Sequence, residues 1–77
     1  MDILANITEE DVTDTNGEIP GGFLFASIKN VGNQEALVND VALSAGEAKS
    51  YPFVGKGYVA VPYEVTDQTT LRIMYVI

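Results

Sequence analysis

Chain-reversal signals recur along most of this sequence and constrain its fold more than any other feature. From Phe23 onward they are separated by about 8–13 residues, which is the spacing of short strands in all-β proteins. Two of them lie within ALVNDVALSAGE, residues 36–47: Asn39-Asp40 between two apolar triplets, and a turn with Gly46 at its third position. Asn and Asp tolerate the positive φ angles of a two-residue hairpin turn, and glycine supplies the positive φ of a type II turn. We therefore expect two tight chain reversals in this stretch.

The segments between the turns are rich in aromatic and β-branched residues, which favour strands. The predicted strands cover residues 23–31, the two sides of the Asn39-Asp40 hairpin, and residues 47–53, 58–65 and 70–77. Pro52 and Pro62 have no N–H for a sheet ladder, so each is expected at an edge, a strand end or a bulge. The fold class predicted is all-β, a small antiparallel β-sandwich, jelly-roll or Ig-like, of about six strands.

The first part of the chain is acidic and less regular. Residues 1–18 hold six acidic residues and no basic one, out of a net charge of −7. Apolar residues alternate only up to Ile7, and the turn signals Asn16-Gly17 and Pro20-Gly21-Gly22 follow. We expect an N-terminal arm or edge strand and then a long loop. The predicted organisation is an acidic arm and loop over residues 1–22 and a β-sandwich domain over residues 23–77.

The composition argues against several kinds of chemistry. The chain has no cysteine and no histidine, which removes disulfides, thiolate metal sites and the commonest general base. Residues 11–18 match part of a calcium-loop pattern, but Val12 stands at its first ligand position and Phe23 at its twelfth. We predict no catalytic residue, no cofactor and no metal site, and we do not expect an enzyme. The acidic charge also argues against nucleic acid or an anionic membrane as a partner.

Protein partners are the interactions that the sequence favours. Several predicted strands are apolar on both faces, and a chain of 77 residues is too short to cover both faces of all of them. The segment LRIMYVI at residues 71–77 would be prone to aggregate unless something pairs with it. A homo-oligomer, trimeric or higher, is therefore expected. The candidate interface residues are aromatic or sulfur-containing: Phe23, Phe25, Tyr51, Tyr58, Tyr63, Met74 and Tyr75.

The segment from Ile28 to Val65 resembles small structural proteins of tailed bacteriophages. It has an Asn-x-Gly-Asn strand end, a short apolar hairpin and a Leu-x-x-Gly-Glu turn, with Asp40 where those proteins often have glycine. It is less similar to immunoglobulin-like adhesion modules, where a proline is usual at Ala45. The phage resemblance implies a non-enzymatic virion component of the capsid, neck or fibre, assembled in the host cytoplasm with other virion proteins. The alternative is a free β-sandwich binding module, either a carbohydrate-binding or adhesion domain or a small phage inhibitor that sequesters a host ligand.

Overall fold

The computed structural model describes residues 4–77, and these form six β-strands and no helix. The strands are β1 (Ile7–Ile19), β2 (Phe25–Asn30), β3 (Ala36–Val38), β4 (Val41–Leu43), β5 (Ala48–Tyr51) and β6 (Val61–Val76). All pairings are antiparallel, and they join the strands into one curled sheet. The predicted all-β class and the number of strands are confirmed.

The long strand β6 is the centre of the sheet. On one side it pairs with β1 from Ile19↔Val61 to Ile7↔Val76. On the other side its first half pairs with β3 and its second half with β2. The short strands β4 and β5 lie outside β3 and β2, respectively.

An irregularity in the middle of β1 and β6 divides the sheet into two halves. Thr13 lies opposite Thr70 and Thr15 opposite Val65, so four residues of β6 face the single residue Asp14 of β1. Asp14 has a φ of 51°, and bulges of this kind bend the strands that contain them. We call the half with the order β1-β6-β2-β5 the first layer and the half with the order β1-β6-β3-β4 the second layer.

The two layers enclose one hydrophobic core. Ala26, Ile28, Leu71 and Ile73 of the first layer are fully buried. The second layer contributes side chains on the same pleat face, chiefly those of Ile19, Ala36, Val38, Leu43, Val61, Tyr63 and Val65. Burying an aliphatic or aromatic side chain of this size stabilises the fold by about 1.5–3 kcal/mol, so this core is the main source of stability.

The turns that join the short strands have the backbone conformations that their residues favour. Asn39 and Asp40 connect β3 to β4 with φ angles of 53° and 62°, as a type I′ hairpin turn requires. Gly46 has a φ of 83°, and the Glu47 N–H closes the turn on the Ser44 carbonyl at 3.0 Å. The Ser44 N–H also donates to the Glu47 side chain at 2.7 Å.

The loop predicted after Ile7 is wrong. Residues 7–19 form β1, which pairs with β6 along its whole length. The polar sequence did not predict a strand here, because β1 is an edge strand in which Ile19 is the only fully buried side chain. Gly17 is not in a turn, since it lies opposite Tyr63, whose ring covers it. The division of the chain into residues 1–22 and 23–77 stays a prediction.

The two separate strands predicted over residues 58–65 and 70–77 are also wrong. The structure has one strand, β6, from Val61 to Val76. The signal TDQT between them marks the four bulged residues, where the Gln68 N–H donates to the Thr66 hydroxyl at 3.2 Å. The chain therefore makes a local turn at these four residues, and the ladder with β1 continues on both sides of it.

The apolar segment near the end of the chain is paired on both sides by the chain itself. Residues 71–76 lie between β1 and β2 in regular antiparallel register. The sequence led us to expect partner subunits as the cover for this segment, and β1 supplies that cover instead. Any role for partner chains must therefore come from other surfaces.

A buried polar centre links the layers at Asn30, the last residue of β2. Its Nδ2 group donates to the carbonyl oxygens of Gln34 at 2.7 Å and Leu43 at 2.9 Å. Its Oδ1 atom accepts from the Gly32 N–H at 3.0 Å and the Thr69 hydroxyl at 2.7 Å. Asn30 therefore connects β2, the turn after it, β4 and the bulge of β6 with every donor and acceptor of its amide in use.

Candidate interaction surface

An aromatic cluster closes one end of the sandwich and positions the segment 52–60 between β5 and β6. The rings of Phe23 and Tyr58 are stacked with centroids 4.9 Å apart. Tyr51 meets both rings edge to face, with centroid distances of 6.0 and 5.6 Å. The Tyr58 hydroxyl donates to the Pro52 carbonyl at 2.6 Å, and its backbone bonds to Phe23 and Gly22. These contacts hold the segment 52–60 against the start of β2.

The two tyrosines of this cluster differ in their hydroxyl groups. The Tyr51 hydroxyl is buried and makes no hydrogen bond within residues 4–77, whereas Tyr58 makes a short one. A buried polar atom without a partner opposes folding by about 1–3 kcal/mol. We expect Tyr51→Phe to leave the free energy of unfolding unchanged or raise it by up to about 1 kcal/mol. Tyr58→Phe is the matched control and should lower it by about 1 kcal/mol. Chemical denaturation of both variants measures this, and a loss for Tyr51→Phe as large as for Tyr58→Phe would contradict it.

The segment 52–60 presents apolar side chains to solvent. Phe53 is 64% exposed, Val54 60% and Val59 83%. Three more exposed apolar residues lie at the same end of the molecule, because β1 begins and β6 ends there. We call the six together the apolar end: Leu4, Ile7, Phe53, Val54, Val59 and Ile77.

Hydrogen bonds connect the segments that carry the apolar end. They are mutual Asn6–Ile77 bonds of 2.9 Å, Leu24 N–H to Val76 O at 2.7 Å, Tyr58 N–H to Phe23 O at 2.9 Å, and the Tyr58–Pro52 bond. Six of the eight large apolar side chains that are exposed in residues 4–77 belong to this end. Concentrated exposed apolar surface of this kind marks interaction sites in soluble proteins.

The residues predicted as an interface are distributed over several places. Phe23 and Tyr63 are buried by the chain's own residues and belong to the core. Tyr51, Tyr58 and Tyr75 are half-buried and pack against that core. Phe25 and Met74 are half-buried on the outer face of the first layer, on neighbouring strands. Three strongly exposed apolar residues, Phe53, Val54 and Val59, were not among the candidates. Two of them, Phe53 and Val54, lie between Pro52 and Gly57, where apolar residues are a signal for an exposed loop.

Tyr63 occupies a distinctive place on the core side of β6. Its ring crosses Gly17 of β1, where an added Cβ would lie 2.8 Å from the Tyr63 hydroxyl. Burial raises the pKa of the Tyr63 phenol above its usual value, and the negative charge of Glu10 and the neighbouring Tyr75 raise the pKa further. The hydroxyl is therefore kept neutral and is unsuited to act as a base.

Charges are separated between the two edges of the first layer. The edge strand β1 carries five acidic residues and no basic one: Glu9, Glu10, Asp11, Asp14 and Glu18. Arg72 on β6 makes a two-pronged ion pair with Asp11, at 3.1 and 3.3 Å, which raises the pKa of its guanidinium. The three lysines lie at the opposite side, on β2 (Lys29), on β5 (Lys49) and in the segment after it (Lys56).

The described part of the chain shows no site for a metal ion and no membrane-spanning helix. No three acidic residues in positions 4–77 lie close enough together to hold a metal ion. Within the same range, no helix is long and apolar enough to cross a membrane. A surface depression of about 420 Å³ is an open groove along β1 and β6 beside Glu9, Asp11, Arg72 and Met74.

The fold and this surface define the chain as a small β-sandwich with an exposed apolar end and oppositely charged edges. No protein-family model, no curated protein and no solved structure matches it.

Proposed function

We propose that this chain is a non-enzymatic structural protein that assembles with other protein chains. The observation that carries the proposal is the apolar end, where Phe53, Val54 and Val59 are presented on a segment that the aromatic cluster holds in place. A preorganised apolar surface loses little conformational freedom on binding, which favours a stable contact. The absence of histidine and cysteine from the sequence supports a non-enzymatic role.

The proposed setting is the virion of a tailed bacteriophage. The chain would be a component of the capsid surface, the neck or a fibre, assembled in the host cytoplasm. This part rests on the resemblance of the turn motifs between Ile28 and Val65 to small phage structural proteins. In such a particle the apolar end docks on a neighbouring virion protein, and the acidic strand β1 steers the approach of a basic surface.

The test is to produce the chain together with the genes that flank its own and to purify any capsid or tail particles by sedimentation. We expect the wild-type chain in the particles and the double variant Phe53→Ser/Val59→Ser in the soluble fraction. Removing two apolar anchors of an interface weakens binding by at least about tenfold. Val31→Ser is the matched control, because Val31 is also exposed but lies beside the bulge of β6, where its N–H bonds to the Thr70 carbonyl.

Two results would overturn the proposal. Particles that contain none of the wild-type chain would contradict a virion component. Particles that incorporate Phe53→Ser/Val59→Ser as well as the wild type would contradict the role of the apolar end.

A further inference from the structure

The first layer ends in two strand edges that are free within residues 4–77. β1 pairs only with β6, and β5 pairs only with β2. The Asn6–Ile77 bonds follow the β1–β6 register, so the N–H and C=O groups of Glu9 and Asp11 point away from β6. The Asn30–Glu47 bond likewise fixes which β5 residues bond to β2. The N–H and C=O groups of Ala48 and Ser50 therefore point away from β2. Both edges therefore present backbone groups that another strand can bond.

One cross-strand row connects an acid on the first edge to a lysine on the second. Glu10 of β1 lies opposite Ile73, Ile73 opposite Ile28, and Ile28 opposite Lys49 of β5. Directly opposed residues in a sheet share a face, so Glu10 and Lys49 project on the same face at the two ends of the row. Each successive pair of strands is antiparallel, so β1 and β5 also run in opposite directions.

These charges disfavour symmetric pairing of either edge with its own copy in the register centred on Lys49 or on Glu10. Two β5 strands joined about a twofold axis at Lys49, with Ala48 and Ser50 as the hydrogen-bonded pair, would place Lys49 opposite Lys49. Two β1 strands joined about a twofold axis at Glu10 would place Glu10 opposite Glu10 and Glu9 opposite Asp11. Like charges directly opposite in a sheet are destabilising.

We infer that the free β1 edge binds the free β5 edge of a second copy of this chain and so continues the antiparallel sheet from one molecule to the next. In register with the existing rows, Glu9 lies opposite Ser50 and Asp11 opposite Ala48 as hydrogen-bonded pairs. Glu10 then faces Lys49 as a non-hydrogen-bonded pair, the position where side chains approach most closely. The pleat, the backbone hydrogen bonds and the charges all agree in this one register.

The contact has a defined end and a defined symmetry. Pro52, the next residue whose backbone would point outward, has no N–H and lies opposite Ile7 of the other copy, which is exposed in the single chain. Since the two edges differ, the pairing is heterologous and produces a closed ring or a filament rather than a twofold dimer. The inference rests on the proposed assembly function and names one of its partners.

Charge reversal tests the pairing with the purified full chain alone, by sedimentation velocity and light scattering at low salt. We expect the wild type to self-associate, and we expect Lys49→Glu and Glu10→Lys each to weaken association by about tenfold. An equimolar mixture of the two single variants should associate more strongly than either variant alone, because each contact between the two different variants joins unlike charges. The double variant Lys49→Glu/Glu10→Lys should recover for the same reason.

Matched controls separate this pairing from a general charge effect. Lys56→Glu and Glu18→Lys change the net charge equally but lie outside the row, so association should stay as in the wild type. A monomeric wild type, or single variants that associate like the wild type, would overturn the inference. Phe53→Ser/Val59→Ser should still self-associate through the edges, so particle incorporation and self-association can fail independently.

Discussion

Replacing Asn30 with alanine is expected to lower the free energy of unfolding by at least about 3 kcal/mol. The side chain is fully buried and makes four hydrogen bonds, to Gln34, Leu43, Gly32 and Thr69. Alanine leaves the hydroxyl of Thr69 and the carbonyl of Leu43 without this partner, and a buried group in that state opposes folding by about 1–3 kcal/mol. A domain of 77 residues has a total stability of about 4–12 kcal/mol, so the variant should be largely or wholly unfolded at moderate temperature.

Urea denaturation followed by circular dichroism measures the effect. Asn33→Ala is the matched control, because Asn33 is exposed in the same turn, and it should change stability by less than about 0.5 kcal/mol. Asn30→Asp is a second variant that retains Oδ1 as an acceptor but loses the two donated bonds. We expect it to be destabilised as well, most strongly at neutral pH, where folding would bury the charged carboxylate. A stable Asn30→Ala variant would show that the layers do not depend on this polar centre.

Local signals were sufficient for the fold class and for the tight turns. Asn39, Asp40 and Gly46 adopt positive φ angles that their own side chains, or the lack of one, allow. The local sequence therefore suffices to predict these two turns. The alternation of Leu71 and Ile73 with Arg72 likewise places one face of β6 in the core, and the structure buries that face. Such features do not depend on what lies far away in the chain.

Long-range pairing was not predictable in the same way. β1 has few apolar residues because only part of one face meets the core, so its polar sequence is typical of a loop as well as of an edge strand. The TDQT signal correctly marks a local turn, but its location inside β6 depends on the ladder with residues 7–19. Register between strands that are 40 or more positions apart is a property of the folded sheet, about which one sequence carries little information.

The same reason explains the candidate interface. Simple alternation puts Phe23 and Phe25 on one face, but the strand begins at Phe25 and Gly22 turns the chain just before Phe23 with a φ of 96°. Phe23 therefore enters the core, and Phe25 stays on the outer face of the first layer. The exposure of Phe53 depends on where Tyr58 docks, which is again a contact between distant segments.

Gly32 shows how a residue that the sequence marks as a turn can have a stricter role in the structure. The bulge of β6 passes directly beside it, and the Val31 N–H bonds to the Thr70 carbonyl at 2.9 Å. A Cβ on Gly32 would lie 2.6 Å from the Thr69 Cα and 2.7 Å from the Thr70 nitrogen. These are backbone atoms, so the methyl group of alanine can be accommodated only if the two segments separate.

We expect Gly32→Ala to lower the free energy of unfolding by about 3 kcal/mol, at the upper end of overpacking, because separation also strains the Asn30–Thr69 bond. Gly55→Ala is the matched control: Gly55 has a φ of 93° and open space around it, so its variant carries only the backbone strain of about 1–2 kcal/mol. Thr69→Ala added to Gly32→Ala should not restore stability, since the conflict with the backbone remains. Recovery of stability in that double variant would mean that the Thr69 side chain alone excludes a larger residue at position 32. The close approach of the β6 backbone would then not be the reason for glycine at this position.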